Sequence, residues 1–127
     1  MRILWILLGL LGLAAVALGA YGSHAAAFAE PRLQEIFETG TRYHFAHLPA
    51  LGLAALVGSL TPAAARRAGI AGGLFLAGML LFSGALYLKG LGIADVTLPL
   101  APTGGILLMT GWLALAWAGL RLLRPGR

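Results

Sequence analysis

Four long stretches of the sequence contain no Asp, Glu, Lys or Arg, and they restrict the possible folds more than any other feature. Each is at least 21 residues long, and they run over residues 3–29, 43–65, 68–88 and 96–120. The hydrocarbon core of a bilayer, about 30 Å thick, is crossed by about 20 helical residues because a helix rises about 1.5 Å per residue. We therefore predict four transmembrane helices, near residues 3–23, 43–61, 68–88 and 103–121.

The composition excludes most other classes of protein. Charged residues make up 10% of the 127 residues, whereas a soluble domain has about 25%. A mean hydropathy of +0.91 excludes disorder, since disordered chains contain few apolar residues. The absence of Cys excludes disulfides, thiolate metal sites and a cysteine nucleophile. The apolar stretches are also much longer than barrel strands of about 10 residues. We predict an all-α protein, a four-transmembrane-helix antiparallel bundle that forms a single integral membrane domain over residues 1–127.

The first stretch also has features of a secretory signal peptide. Arg2 precedes an apolar run, and small residues follow at Ala25, Ala27 and Ala29. The run is about 20 residues long, however, whereas the apolar part of a signal peptide has about 7–15. We therefore expect a membrane span.

The distribution of basic residues predicts the orientation of the bundle. Four spans place both termini and the 62–67 connection on one side of the membrane. That side carries Arg2, Arg66, Arg67, Arg121, Arg124 and Arg127. The other side carries Arg32, Arg42 and Lys89, together with the four acidic residues. Because basic residues concentrate in cytoplasmic segments, we predict cytoplasmic termini. The net charge of +5 is explained in this way, so we expect the lipid bilayer and no nucleic acid as a partner.

The connection between the first two spans has the pattern of a short amphipathic helix, over about residues 31–40. Pro31 suits the first turn of a helix, where its missing N–H is not needed. Apolar residues at helical spacing share one face, and charged residues occupy the other. We predict that this helix lies on the membrane surface and that Gly40 and Thr41 mark its junction with the second span. The alternative is a linker of mixed polarity.

The connection over residues 89–102 is predicted to be an irregular loop. It contains two glycines and two prolines, at Gly90, Gly92, Pro99 and Pro102. Because Pro is favoured in the first turn of a helix, we predict that Pro102 opens the fourth span.

Small residues recur at helical spacing and predict the helix contacts. Helices in a membrane associate where small side chains allow their backbones to approach closely. Such stripes occur in the second span at Ala50, Ala54 and Gly58, and in the third at Gly69, Gly73 and Ala77. We expect both stripes to pack against neighbouring helices, a role that requires no ligand.

Polar side chains within the spans are the candidates for function, because such residues are rare and costly in lipid. Three histidines lie near span ends, at His24, His44 and His47, and Ser83 and Tyr87 lie one turn apart in the third span. Residues of these types hydrogen-bond helices to one another; a proton or substrate path and a metal site are the alternatives. The spacing of His44 and His47 suits two metal ligands, but no metal-binding motif accompanies them, so we predict no metal site.

The predicted topology brings several of these residues to one end of the bundle. His24 ends the first helix and His47 begins the second, while Ser83 and Tyr87 end the third and Thr103 begins the fourth. We predict a cluster of these five side chains, with His24 and His47 inside the bundle. Such a cluster either ties the helix ends together or lines a pocket.

Four segments around these residues resemble the domain-of-unknown-function 423 family. They are GAYGSHA at 19–25, YHFAH at 43–47, LFSGALYL at 81–88 and PTGG at 102–105, the last followed by Gly111 and Trp112. The family consists of small bacterial inner-membrane proteins and is similar to the eukaryotic transmembrane protein 256 group. The resemblance implies a four-span protein of the bacterial inner membrane, without an established activity, substrate or cofactor. The positions that match the family pattern are His24, His47, Ser83, Tyr87, Gly104 and Gly105. His44 departs from the pattern, and the order of Pro102 and Thr103 is inverted.

No nucleotide-binding, hydrolase or metalloprotease motif assigns catalytic residues, so we expect neither an enzyme nor a cofactor. We expect a structural, interaction or accessory protein, with a second copy or another membrane protein as its partner. The alternative is a small oligomeric transporter, channel or proton-linked carrier that uses the polar cluster around His24 and His47. A membrane enzyme that binds a lipid or a cofactor is a third hypothesis.

Overall fold

Four long α-helices make up the computed structural model, which describes residues 1–93 and 97–122, apart from the side chains of Ala25, Thr97 and Leu98. The helices are α1 (Arg2–Gly22), α2 (Pro31–Leu60), α3 (Pro62–Gly90) and α4 (Thr97–Gly119), with a 3-10 turn at Ala25–Ala27. Each is long and apolar enough to cross a membrane. The predicted all-α fold with four spans is confirmed.

A one-residue turn at Thr61 reverses the chain between α2 and α3. The backbone of Thr61 is extended, with φ −153° and ψ 136°, and its side chain accepts a hydrogen bond of 3.1 Å from the backbone N–H of Ala63. Pro62 follows as the first residue of α3, where its missing N–H removes no helical bond. The two longest helices are therefore antiparallel neighbours. We call this end of the bundle the Thr61 end, and the opposite end, which contains Gly22, His44 and Tyr87, the histidine end.

The surface helix predicted over 31–40 is instead the first part of α2, which is continuous from Pro31 to Leu60. Gly40 does not break the helix, because it serves as a contact point: an added Cβ would lie 3.1 Å from Leu86 Cβ and 3.2 Å from the Ser83 carbonyl oxygen. The Thr41 hydroxyl donates to the Phe37 carbonyl oxygen at 3.2 Å, as is common within a helix. Packing against α3 thus keeps this segment helical, although its glycine had indicated a junction between two helices.

The connection between α3 and α4 is shorter than predicted, because α3 extends to Gly90 and α4 begins at Thr97. Pro102 therefore lies inside α4 and does not open it. Pro102 is the sixth residue of α4, beyond the first four N–H groups that have no helical acceptor, so it removes one backbone hydrogen bond from the helix. Of the predicted 89–102 loop, residues 94–96, including Asp95, lie outside the described residues.

Helix α3 is the centre of the bundle and packs against both α2 and α4. Its contact with α4 depends on glycines placed opposite larger residues. An added Cβ at Gly78 would lie 2.7 Å from Leu108 Cδ2, and one at Gly111 would lie 2.8 Å from Phe75 Cδ1. Small residues at these points let the two helices approach closely, which is how helices associate within lipid.

The small-residue stripe of α2 is buried, and that of α3 is not. Ala50 and Ala54 are fully buried, and Gly58 is buried beside Ala68 of α3. Gly69 and Ala77 are half-buried, and Gly73 is exposed with nothing within 4 Å of an added Cβ. The prediction that Gly73 packs against a neighbouring helix is therefore wrong. Because α3 lies between α2 and α4, its buried small residues occupy the adjoining faces, which hold Ala64, Ala68, Ala71, Gly72 and Gly78.

Helix α1 lies at the margin of the bundle and packs mainly along α2. Within α1, which is described throughout, the buried residues are Leu4, Ala15 and Gly22. Near the Thr61 end, Leu4 reaches Gly72 of α3, where an added Cβ would lie 2.6 Å from Leu4 Cδ1. Toward the histidine end α1 contacts α2 instead, at Gly19 and Phe45. This arrangement leaves space between α1 and α3 at the level of the buried polar residues.

Candidate functional site: a histidine–tyrosine pair beside a small cavity

His44 of α2 and Tyr87 of α3 form a buried polar pair near the histidine end. His44 Nδ1 lies 3.0 Å from the Tyr87 hydroxyl oxygen, and the side chains are 4% and 9% exposed. Gly40, one turn before His44, makes this contact possible. An added Cβ at position 40 would lie 3.3 Å from Tyr87 Cε1, so a larger residue would push α3 away. The pair therefore links α2 and α3 where their backbones approach closely.

Two buried polar atoms beside this pair have no hydrogen-bond partner, namely His44 Nε2 and Ser83 Oγ. Ser83 is 2% exposed. Every other Ser or Thr hydroxyl whose side chain the structure describes has a partner. Six hydroxyls donate to a carbonyl oxygen of their own helix or turn; they belong to Ser23, Thr39, Thr41, Ser59, Thr103 and Thr110. The Thr61 hydroxyl accepts from a backbone N–H. Buried polar groups without a partner are rare and costly, so Ser83 is an exception that requires an explanation.

A cavity of about 180 Å³ lies beside the His44 and Ser83 side chains, whose unpartnered atoms are buried and do not form part of its surface. Its wall consists of Leu11 and Leu18 of α1, His44 of α2, and α3 side chains between Met79 and Tyr87. Leu80, part of this wall, is 64% exposed, so the cavity reaches the outer surface of the bundle between α1 and α3. No charged side chain is among the described residues that line it. The surface of the cavity is thus entirely apolar.

His47, one turn after His44 in α2, does not line the cavity. Its Nδ1 is 2.7 Å from the Tyr43 carbonyl oxygen, one turn earlier in the same helix. Because a carbonyl can only accept, Nδ1 carries the proton. The imidazole stacks on the Tyr43 ring with a distance of 6.0 Å between ring centroids, and its centroid lies 6.1 Å from those of Phe75 and Trp112. His47 is therefore held by its own helix and by aromatic packing between α2, α3 and α4.

The predicted five-residue cluster is corrected at three of its members, His24, His47 and Thr103. His24 is exposed, because α1 ends at Gly22 and the chain turns outward there; its backbone takes part in the described hydrogen bonds of that turn. Thr103 is also exposed, and its hydroxyl donates to the Pro99 carbonyl oxygen at 2.6 Å. The structure joins Tyr87 and Ser83 to His44 and leaves His24, His47 and Thr103 elsewhere. Among residues 1–93 and 97–122, no three His, Asp or Glu side chains come together as metal ligands.

His44 is the site residue that the sequence analysis named as a candidate but left out of the predicted cluster. A signal for it was present: Gly40, His44, His47 and Leu51 follow one another at intervals of four, three and four residues, the spacing of one helix face. All four are buried against neighbouring helices. The second span was predicted to begin at residue 43, which places His44 in its first turn and Gly40 outside it. The shared face of these four residues is not apparent from that prediction.

Comparison with known proteins identifies the family of this chain. Residues 18–105 match the family described as "Protein of unknown function (DUF423)". The UPF0382 membrane protein YwdK of Bacillus subtilis is 30% identical, over 97% of this chain and all of its own length. UPF0382 membrane proteins of Schizosaccharomyces pombe and Haemophilus influenzae are 34% and 32% identical, over 86% and 91% of this chain and 94% and 91% of their own. No solved structure matches. The matched region contains the buried pair and Ser83, and the chain belongs to the DUF423 family of multi-pass membrane proteins.

Proposed function

We propose that this protein is an accessory protein of the membrane that acts by binding a membrane component, and that it neither catalyses a reaction nor conducts a solute. The observation that carries the proposal is the depth of the buried polar side chains. His44 and Ser83 lie in the half of the bundle nearer the histidine end, and His47 lies at about the middle of α2. The other half is filled by apolar residues such as Leu51, Ala55 and Phe75. A single chain therefore offers an apolar cavity beside buried polar groups, and its described residues form no polar path across the membrane.

Reconstitution into liposomes tests this proposal. We expect proton flux no greater than in protein-free liposomes, and we expect protein extracted directly into native-lipid nanodiscs to retain a bound membrane component by native mass spectrometry. The alternative function, an oligomeric proton-linked carrier, requires flux that rises with protein content. Flux that is abolished in His47→Ala but retained in His24→Ala would overturn the proposal, because His47 is buried and His24 is exposed.

We also propose that the Thr61 end faces the cytoplasm of a bacterial cell and that the histidine end faces outward. Among the described residues, the Thr61 end carries Arg2, Arg66, Arg67 and Arg121, whereas the histidine end carries Arg32, Arg42 and Lys89. Arg124 and Arg127, which also support this orientation, lie outside the described residues. The excess of basic residues at the Thr61 end supports a cytoplasmic location for both termini.

Cysteine labelling tests this orientation directly, because the natural chain contains no Cys and only an introduced one can react. Glu35 and Arg66 are exposed near opposite ends of the bundle. In intact cells, we expect Glu35→Cys to react with a thiol reagent that cannot cross the membrane, and Arg66→Cys to react only after the cells are opened. Labelling of both positions in intact cells, or of Arg66→Cys alone, would contradict the orientation.

A further inference from the structure

We infer that the Thr61 end of the bundle binds the phosphate of an anionic phospholipid, at a site formed by Arg66 and Arg67 of α3 and by Arg121 just beyond α4. We call these three residues the arginine site. It lies at the opposite end of the bundle from the cavity, so the inference goes beyond the proposed function and does not depend on what the cavity binds. It depends on three observations, namely the absence of acidic side chains near this end, the fixed position of Arg67, and the depth of the arginines in the membrane.

The Thr61 end has no acidic side chain to neutralise its arginines. Three of the four acidic residues, Glu30, Glu35 and Glu38, lie at the start of α2. Even Glu38 is about 33 Å along α2 from its last residue. Asp95, which lies outside the described residues, precedes the whole of α4 in the sequence. The positive charge at this end therefore favours an anion that comes from outside the chain.

Arg67 is held in place by Trp117 of α4. Its guanidinium carbon Cζ lies 4.0 Å from the centroid of the indole ring, and one of its terminal nitrogens donates a hydrogen bond of 3.1 Å to the Trp117 carbonyl oxygen. These two contacts fix the plane of the guanidinium. A planar guanidinium matches the geometry of a phosphate, and one that is already ordered loses less side-chain entropy on binding. Arg67 is thus organised in advance for an anionic group.

Arg121 adds a second charge close to Trp117. It follows Trp117 by four residues, and its backbone N–H donates to the Ala118 carbonyl oxygen at 3.1 Å, so the chain continues to turn after α4. The Arg121 side chain is partly buried, and its Nε has no hydrogen-bond partner among the described residues. A nearby anion stabilises such a cation without touching the buried nitrogen, because Coulomb attraction is stronger where water is excluded.

The arginine site lies at the level of the lipid headgroups. Arg66 and Arg67 are the fifth and sixth residues of α3, about 6–8 Å along the helix from its start, which is close to the thickness of one headgroup layer. Trp117 is 44% exposed, and tryptophan is enriched at membrane interfaces. Arg66 shares an exposed face of α3 with Ile70 and Gly73, which acyl chains can contact. The site is therefore placed for a phosphate that belongs to a lipid.

Native mass spectrometry in a neutral detergent tests the inference, with dioleoylphosphatidylglycerol and dioleoylphosphatidylcholine added in separate titrations. The two lipids have the same acyl chains, but only the first has a net negative charge. Each arginine near an anionic lipid contributes about fivefold in affinity. We therefore expect one phosphatidylglycerol to bind per chain, on the order of 100-fold more tightly than phosphatidylcholine. Arg66→Gln should reduce this preference about fivefold, and the addition of Arg121→Gln should reduce it about fivefold again.

Arg42→Gln is the matched control for the loss of one positive charge. Arg42 is also exposed, but it lies at the histidine end, one turn after Glu38, and its substitution should leave the lipid preference unchanged. Arg66→Gln should keep the melting temperature of the wild type in lipid-free detergent, because Arg66 is exposed. Inorganic phosphate, added at matched ionic strength, should not displace the bound lipid, since it has no acyl chains to contact α3.

Three results would overturn the inference. The first is equal affinity of the wild-type protein for the two lipids. The second is an equal loss in Arg66→Gln and Arg42→Gln, which would show that the net charge of the protein attracts the lipid and that the arginine site does not. The third is displacement of the lipid by inorganic phosphate, which would assign the site to an anion from solution.

Discussion

Gly104→Ala is expected to lower the free energy of unfolding by about 1–3 kcal/mol, the usual cost of inserting a side chain into a tightly packed contact. A Cβ at position 104 would collide with the backbone nitrogen of Phe82 and would lie 2.8 Å from Phe82 Cβ and 2.9 Å from its Cα. These are two backbone atoms of α3 and a Cβ, and none of them can move aside by a change of rotamer. The two helices must separate, and thermal unfolding in nanodiscs should show a lower melting temperature.

The neighbouring glycine provides a matched control. A Cβ at Gly105 would lie 3.8 Å from Phe82 Cδ2, an ordinary van der Waals distance. Gly105→Ala should therefore be neutral or stabilising, because Ala favours a helix over Gly by up to about 1 kcal/mol. Equal losses in the two variants would show that the loss arises from the substitution of glycine in α4 and not from contact with Phe82.

Tyr87→Phe is expected to lower the free energy of unfolding by about 1–3 kcal/mol, since it leaves a buried polar atom without its partner. His44 Nδ1 lies 3.0 Å from the lost hydroxyl, and Nε2 of the same ring has no hydrogen-bond partner among the described residues. The aromatic ring itself would remain packed against Phe37, at a centroid distance of 4.8 Å. The loss of stability is thus assigned to the hydroxyl, and chemical or thermal unfolding measures it.

Tyr21→Phe is the control for the same chemical change. Tyr21 also contacts Phe37, at 5.8 Å, but it is 42% exposed, and we expect its substitution to leave the melting temperature unchanged. A double variant provides a second check: His44→Leu combined with Tyr87→Phe replaces both partners, so its loss should be smaller than the sum of the two single losses. Additive losses would mean that the two side chains do not interact.

The spans were predictable because a bilayer imposes a simple requirement on length and charge. The first span was predicted near 3–23 and α1 covers Arg2–Gly22, with a charged residue at its start and polar residues just beyond its end. The turn between α2 and α3 was predicted as a connection over residues 62–67, whereas α3 begins at Pro62 and includes these residues. Charge and proline provide strong local signals, and they lie at span ends.

The remaining errors arise where one residue type suits two different structures. Gly40 permits either a break or a close helix contact, and the deciding factor is α3, which is distant in sequence. Pro102 suits the first turn of a helix but also lies in an early turn of α4. Predicting that His44 is buried and His24 exposed would have required the position at which α1 ends and the direction of the chain after Gly22. Such facts are determined by packing between helices and not by the local pattern.

The length of α2 couples the site to the thickness of the surrounding membrane. Its 30 residues extend about 45 Å, roughly 15 Å more than a typical hydrocarbon core. If the Thr61 turn is anchored at one interface, the excess length projects at the other, and His44 lies about 24 Å from the Thr61 turn. That depth is within the acyl chains but close to their boundary. A bilayer thinner by several ångströms would bring the His44–Tyr87 pair to the headgroup level and admit water to it, whereas a thicker one would bury it in hydrocarbon. The hydration of the pair, and with it the strength of any hydrogen bond made there, would therefore vary with lipid composition.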